Sequence, residues 1–127
     1  MPTLEAIRSD KLPPPIGPFS PAIRSGGLIF FSGQVGVDPA TGKLVAGGVE
    51  AEARQIFANL AVLLNSAGKS FADVVRVGVF LTDIGDFTSV NAIYAEQFEQ
   101  PFPARTTVGV AALPLGAAIE IELLIKD

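Results

Sequence analysis

The chain contains no cysteine and no histidine. Without cysteine there is no disulfide, no thiolate metal site and no cysteine nucleophile. Without histidine the commonest general base and the commonest metal ligand are both missing, and a serine–histidine–aspartate triad is impossible. Acid–base chemistry therefore falls to carboxylates, backbone groups or water. Charge is also sparse, at 17% of residues, with nine Lys and Arg scattered along the chain and a net charge of −4. No basic patch is available to hold nucleic acid. No segment approaches the roughly 20 apolar residues that span a bilayer. The opening "MPTLEAIRSD" lacks the basic start and apolar run of a signal peptide. A cytoplasmic protein is the expectation.

What the chain does have is apolar residues, 49% of its 127. This length fits a single domain, 1–127, that buries roughly 65–70% of its unfolded surface. So apolar a composition in so small a chain points to surface hidden by self-association.

Residues 3–8 read as a short edge strand, and 11–21, "KLPPPIGPFSP", as a proline-rich loop. Ala22–Arg24 and Leu28–Ser32 read as a hairpin turning at Gly26-Gly27. "DPATGK" at 38–43 reads as another turn. Spacings of three and four among Val49, Ala53, Ile56, Phe57, Leu60, Leu63, Leu64 and Ala67 predict a helix over 49–66, with Gly68 as C-cap. "DVVRVGVFLTD" at 73–83 is a nearly continuous apolar strand. Asp86 is placed to cap a second helix carrying Val90, Ile93, Tyr94, Gln97 and Phe98. Residues 105–111 and 118–126 supply the last strands. The order β-β-β-α-β-α-β-β predicts an α+β fold, a mixed sheet with two helices on one face.

Strand alternation assigns the faces. Ile119, Ile121, Leu123 and Ile125 share one face, and Glu120, Glu122, Leu124 and Lys126 the other. Thr106, Val108 and Val110 are expected under the helices, with Arg105 and Thr107 on the far face. If the last two strands form a hairpin, Arg105 and Thr107 join Glu120 and Glu122 there, with Phe30 and Ser32 or Phe80 and Thr82 added by neighbouring strands. A face this mixed suits a subunit interface with a polar pocket. An arginine opening a strand is ordinarily solvated or ion-paired, Phe19 reads most simply as a core plug, and Asn91 as a polar-face helix residue. "GVDPATGKL" at 36–44 fails as a phosphate loop, since five residues separate Gly36 from Gly42 and Leu44 stands where a hydroxyl is needed. No glycine-rich dinucleotide fingerprint follows a strand.

Six segments in order, "IGPFSPAI", "LIFFSGQVGVDPATGKL", "QIFANLAVLLNSAG", "VVRVGVFLTDIGDFTSVNAIYAEQF", "FPARTTVGVAALP" and "IEIELLI", carry a resemblance to the reactive intermediate deaminase (Rid, or YjgF) family. The resemblance implies a chorismate-mutase-like homotrimer with pockets between subunits, and no cofactor. It implies hydrolysis of enamine and imine acids, such as 2-aminoacrylate, to 2-keto acids and ammonia. By the same resemblance Arg105 holds the substrate carboxylate and Glu120 positions or activates water. Ser32 and Asn91 match pocket residues, and Thr107 lends a backbone carbonyl. Phe19 stands where the family usually has tyrosine, so one hydroxyl is lost. The competing readings are a non-catalytic carboxylate-binding or chaperone-like trimer and a ribonuclease. Acidic charge and missing histidine disfavour the ribonuclease.

Overall fold

The computed structural model describes residues 4–127. Its main sheet has six strands, β1 (Glu5–Ile7), β2 (Ala22–Ser25), β3 (Leu28–Gln34), β6 (Val74–Leu81), β7 (Ala104–Gly109) and β8 (Ile119–Lys126), in the order β1-β2-β3-β8-β6-β7. A small hairpin, β4 (Val37–Asp38) with β5 (Lys43–Leu44), stands apart around the expected turn. The β2–β3 turn uses Gly26 and Gly27 at φ 63 and 82, the left-handed pair that a two-residue hairpin needs. The expected first strand is present as β1, and residue 3 lies outside the described residues.

Helices α1 (Gly48–Ser66) and α2 (Phe87–Ala95) lie on one face of the sheet. Seven of the eight apolar positions expected to line α1's face are buried, Val49 being half-buried. They meet Ile29, Phe31, Val77, Val79, Leu81, Ile119, Ile121, Leu123 and Ile125 from the sheet. Edge-to-face contacts among Phe57, Phe71, Tyr94 and Phe98, with ring centroids 5.3–6.3 Å apart, bind α2 to α1. The capping expectation fails: Asp86 makes no side-chain cap. Asp83 does that work three residues earlier, its carboxylate accepting the Gly85 N–H at 2.9 Å in a single 3₁₀ turn.

The last two strands do not form a hairpin. β6 lies between them, parallel to β7 and antiparallel to β8. This overturns the face assignment for residues 105–110. Register pairs Arg105 with Val77 and Thr107 with Val79, both under the helices, while Thr106 and Val108 sit beside Gly78 and Phe80. Gly78 and Phe80 in turn pair with Glu122 and Glu120. Arg105 and Thr107 therefore occupy the helix face, and Glu120 and Glu122 the opposite one. The phase of β7 is set by its pairing with β6. Its Arg-Thr-Thr-Val run carries too little hydrophobic contrast to set the phase itself.

Among the described residues no helix covers the far face, which exposes Phe30 and Val108 and half-buries Ile23, Phe80 and Leu124. β8 is tied to α1 by one polar contact: the buried Glu52 carboxylate accepts the Ala118 N–H at 2.8 Å. Glu52→Ala leaves that amide unpaired and should lower unfolding stability by about 1–3 kcal/mol. Glu52→Gln, which keeps an acceptor, should recover most of it; urea melts of both variants check this.

Candidate functional site

The six residues expected at the site fall into two groups on opposite sides of the sheet. Phe19, Ser32 and Glu120 line one cavity of about 750 Å³. Its walls are the proline-rich loop, the end of β3, the turn at Pro114–Gly116 and, from α1, Asn59 and Leu63. The β3–β8 register shifts between Phe31 and Gln34, and there the loop is pinned. Ser32 Oγ donates to the Ser20 carbonyl at 2.6 Å, and the Ser32 amide donates to the Pro21 carbonyl at 2.9 Å. Ser32 thus holds the loop in place while it lines the cavity. Phe19 is not a core plug: it is 53% exposed.

Glu120 packs against Gly33, where any side chain would collide with its carboxylate. The glycine is the space the acid occupies. Burial raises the Glu120 pKa above the ordinary carboxylate value, and Glu122, next but one along the same strand face, adds to the rise. A carboxyl tuned upward in this way can take and return a proton closer to neutral pH.

Arg105 forms the centre of the second group. Phe87, Asn91 and Tyr94 recur at helical spacing on α2 and form one stripe. The Arg105 guanidinium carbon lies 4.6 Å from the Tyr94 ring centroid and 5.3 Å from that of Phe87. Among the described residues the ion pairs use Arg24, Arg54 and Lys69, and none uses Arg105. Two π-faces orient the cation without neutralising it, each worth roughly 0.5–2 kcal/mol. Among the described residues, Tyr94 Oη and Thr107 Oγ1 are buried without a hydrogen-bond partner. Burial raises the Tyr94 pKa, opposed in part by Arg105, so the phenol stays neutral and does not become a counter-ion. Sequence reasoning missed Phe87, Tyr94, Gly33 and Leu115. Helical spacing marks the α2 stripe, but only tertiary pairing sets an arginine above it.

Fold and site together define a class: small α+β proteins with helices on one sheet face, a cavity-lining acid on the other, and an edge-strand guanidinium with no ion pair among the described residues. The chain belongs to the endoribonuclease L-PSP family, whose model matches residues 9–126, and which includes the Rid proteins. Among its relatives, a human protein named 2-iminobutanoate/2-iminopropanoate deaminase is 48% identical over 116 residues, 91% of this chain and 85% of the relative. The bovine protein of the same name is 47% identical over 118 residues, 93% of this chain and 86% of the relative. The crystal structure of RidA from a Psychrobacter species superimposes with a TM-score of 0.92 at 40% identity, covering 97% of this chain and 99% of that one. The Rid-family protein YyfA of Yersinia pestis gives 0.94 at 39% identity, covering 98% and 100%.

The raised Glu120 pKa has a consequence for stability. The folded chain binds this proton more tightly than the unfolded one, so Glu120 costs stability as pH rises from the unfolded value of about 4.3 through the higher folded value. Glu120→Gln should therefore be more stable than the parent at pH 7–8, with the two curves converging at acid pH. Thermal melts across that range check the sign.

Proposed function

We infer that the chain is a deaminase that hydrolyses 2-imino and 2-enamine acids to 2-keto acids and ammonia, working in the cytoplasm without a cofactor. One observation carries this reading: a guanidinium held over two aromatic rings with no carboxylate against it. Such a group offers paired, permanently charged donors to a substrate carboxylate. The names of the human and bovine relatives support the same chemistry.

Arg105 binds the carboxylate and aims the imine carbon at a water. Glu120 takes a proton from that water as it attacks and returns it to the departing nitrogen. Asn91 and Thr107 flank Arg105, and Phe19 and Ser32 flank Glu120. In one protomer these two sets lie on opposite faces of the sheet. The reaction therefore takes place between copies, with the Arg105 edge of one protomer meeting the Glu120 cavity of the next in a homotrimer. The uncovered apolar face supports this assembly, because exposed Phe30 and Val108 gain by burial against a second copy.

Arg105→Ala should lower kcat/KM for a 2-imino acid by about 100-fold, the scale of one lost charge-assisted pair, in a protein that stays folded and assembled. An undiminished rate would remove the reading. Refolding an equal mixture of Arg105→Ala and Glu120→Gln, each strongly impaired alone, should restore about one pocket in four by random assembly. No recovery would place both residues in the same protomer's site.

A further inference from the structure

Tyr94 is the single tyrosine of a chain that has no tryptophan. It is 6% exposed, so the contacts around it come from its own protomer. Its ring packs against Phe98, with centroids 4.6 Å apart and planes tilted by 35°, and meets Phe57 edge-on at 6.2 Å. Phe57 and Phe98 are themselves buried and lie 6.3 Å from each other. A ring enclosed in this way has little room to change rotamer.

This enclosed ring carries the Arg105 guanidinium 4.6 Å from its centroid. The second ring, Phe87, is the first residue of α2, lies farther away at 5.3 Å and is 39% exposed. An arginine has a long side chain with much rotamer freedom to lose when it grips a ligand. A fixed ring face removes part of that loss before the ligand arrives. The Tyr94 hydroxyl reaches no hydrogen-bond partner among the described residues, so the face, which a phenylalanine would share, is the part that acts on Arg105. We propose that Tyr94 is a positioning residue of the deaminase site: its core-locked ring holds the Arg105 guanidinium in place for the substrate carboxylate, and it acts on the reaction only through Arg105. This rests on the deaminase reading above. The carboxylate takes no part in the bonds that change, so the ring supports binding alike in the ground state and the transition state. Its loss raises KM and spares kcat.

Tyr94→Leu and Tyr94→Phe are assayed on the imine that a D-amino-acid oxidase makes from D-alanine, with hydrolysis read in competition with semicarbazide. Propionate, an unreactive carboxylate transparent in the tyrosine band, is the binding probe. Tyr94→Leu should raise KM and the propionate inhibition constant about tenfold, the scale of one desolvated cation–π contact, with kcat within about twofold. Tyr94→Phe should match the parent in all three. In an Arg105→Ala background Tyr94→Leu should lower kcat/KM no further. The parent also gives a signal that needs no change at Tyr94, because emission excited beyond the phenylalanine band comes from this ring alone. Saturating propionate should alter that emission in the parent and not in Arg105→Ala. The role is overturned, and the deaminase reading left standing, by an unchanged KM in folded Tyr94→Leu or by a loss in Tyr94→Phe as large as in Tyr94→Leu. A further loss in the Arg105→Ala background, or parent emission that inhibiting propionate leaves unaltered, does the same. A parent that fails to accelerate hydrolysis of the imine overturns both.

Discussion

Parallel pairing of β7 with β6 governs the direction of Arg105, the cation of the candidate site. Because β7 takes its phase from Val77 and Val79, Arg105 is turned toward α2 and away from Glu120. A one-residue slip would exchange the faces, placing Arg105 on the face of the carboxylates and Ala104 or Thr106 over the rings. α2 depends on the same geometry. The aromatic cluster that joins it to α1 sets the Tyr94 ring where the guanidinium can rest. The hydrophobic packing between the helices is therefore also what aims the cation.

The two charged residues are held in contrasting ways. Arg105 is oriented by π-faces, which leave its charge available to a ligand. Glu120 is held by shape: Gly33 makes room for it, and burial and Glu122 disfavour its ionised form. Burial makes the ionised Glu120 costly to the isolated chain, whereas Arg105 gains from both rings and keeps its charge free for a ligand. The exposed Phe30 and Val108 of the uncovered face bring the isolated chain little burial.

The proline-rich loop links the two halves of this argument. Ser32 pins it through its hydroxyl and its amide, and the pinned loop carries Phe19 and Ile16 out over the cavity. Leu115, at φ 61, lines the same space from the turn before β8. Cavity shape thus comes mainly from loops, while the acid at its floor comes from a strand.

Element types and the apolar stripes of α1 and α2 were legible in the sequence, because periodic burial writes itself into residue spacing. The Gly26-Gly27 hairpin and the separation of Ile119, Ile121, Leu123 and Ile125 from Glu120 and Glu122 were equally plain, since alternation within a strongly patterned strand admits one phase. Tertiary structure alone decided the face of Arg105 and Thr107. The weakly patterned β7 takes its phase from a neighbouring strand distant in sequence, and spacing along one segment cannot report on another. The Tyr94 stack, the space beside Gly33 and the left-handed Leu115 were hidden for the same reason: each is a relation between segments or a backbone state, and neither is written in the composition of a single stretch.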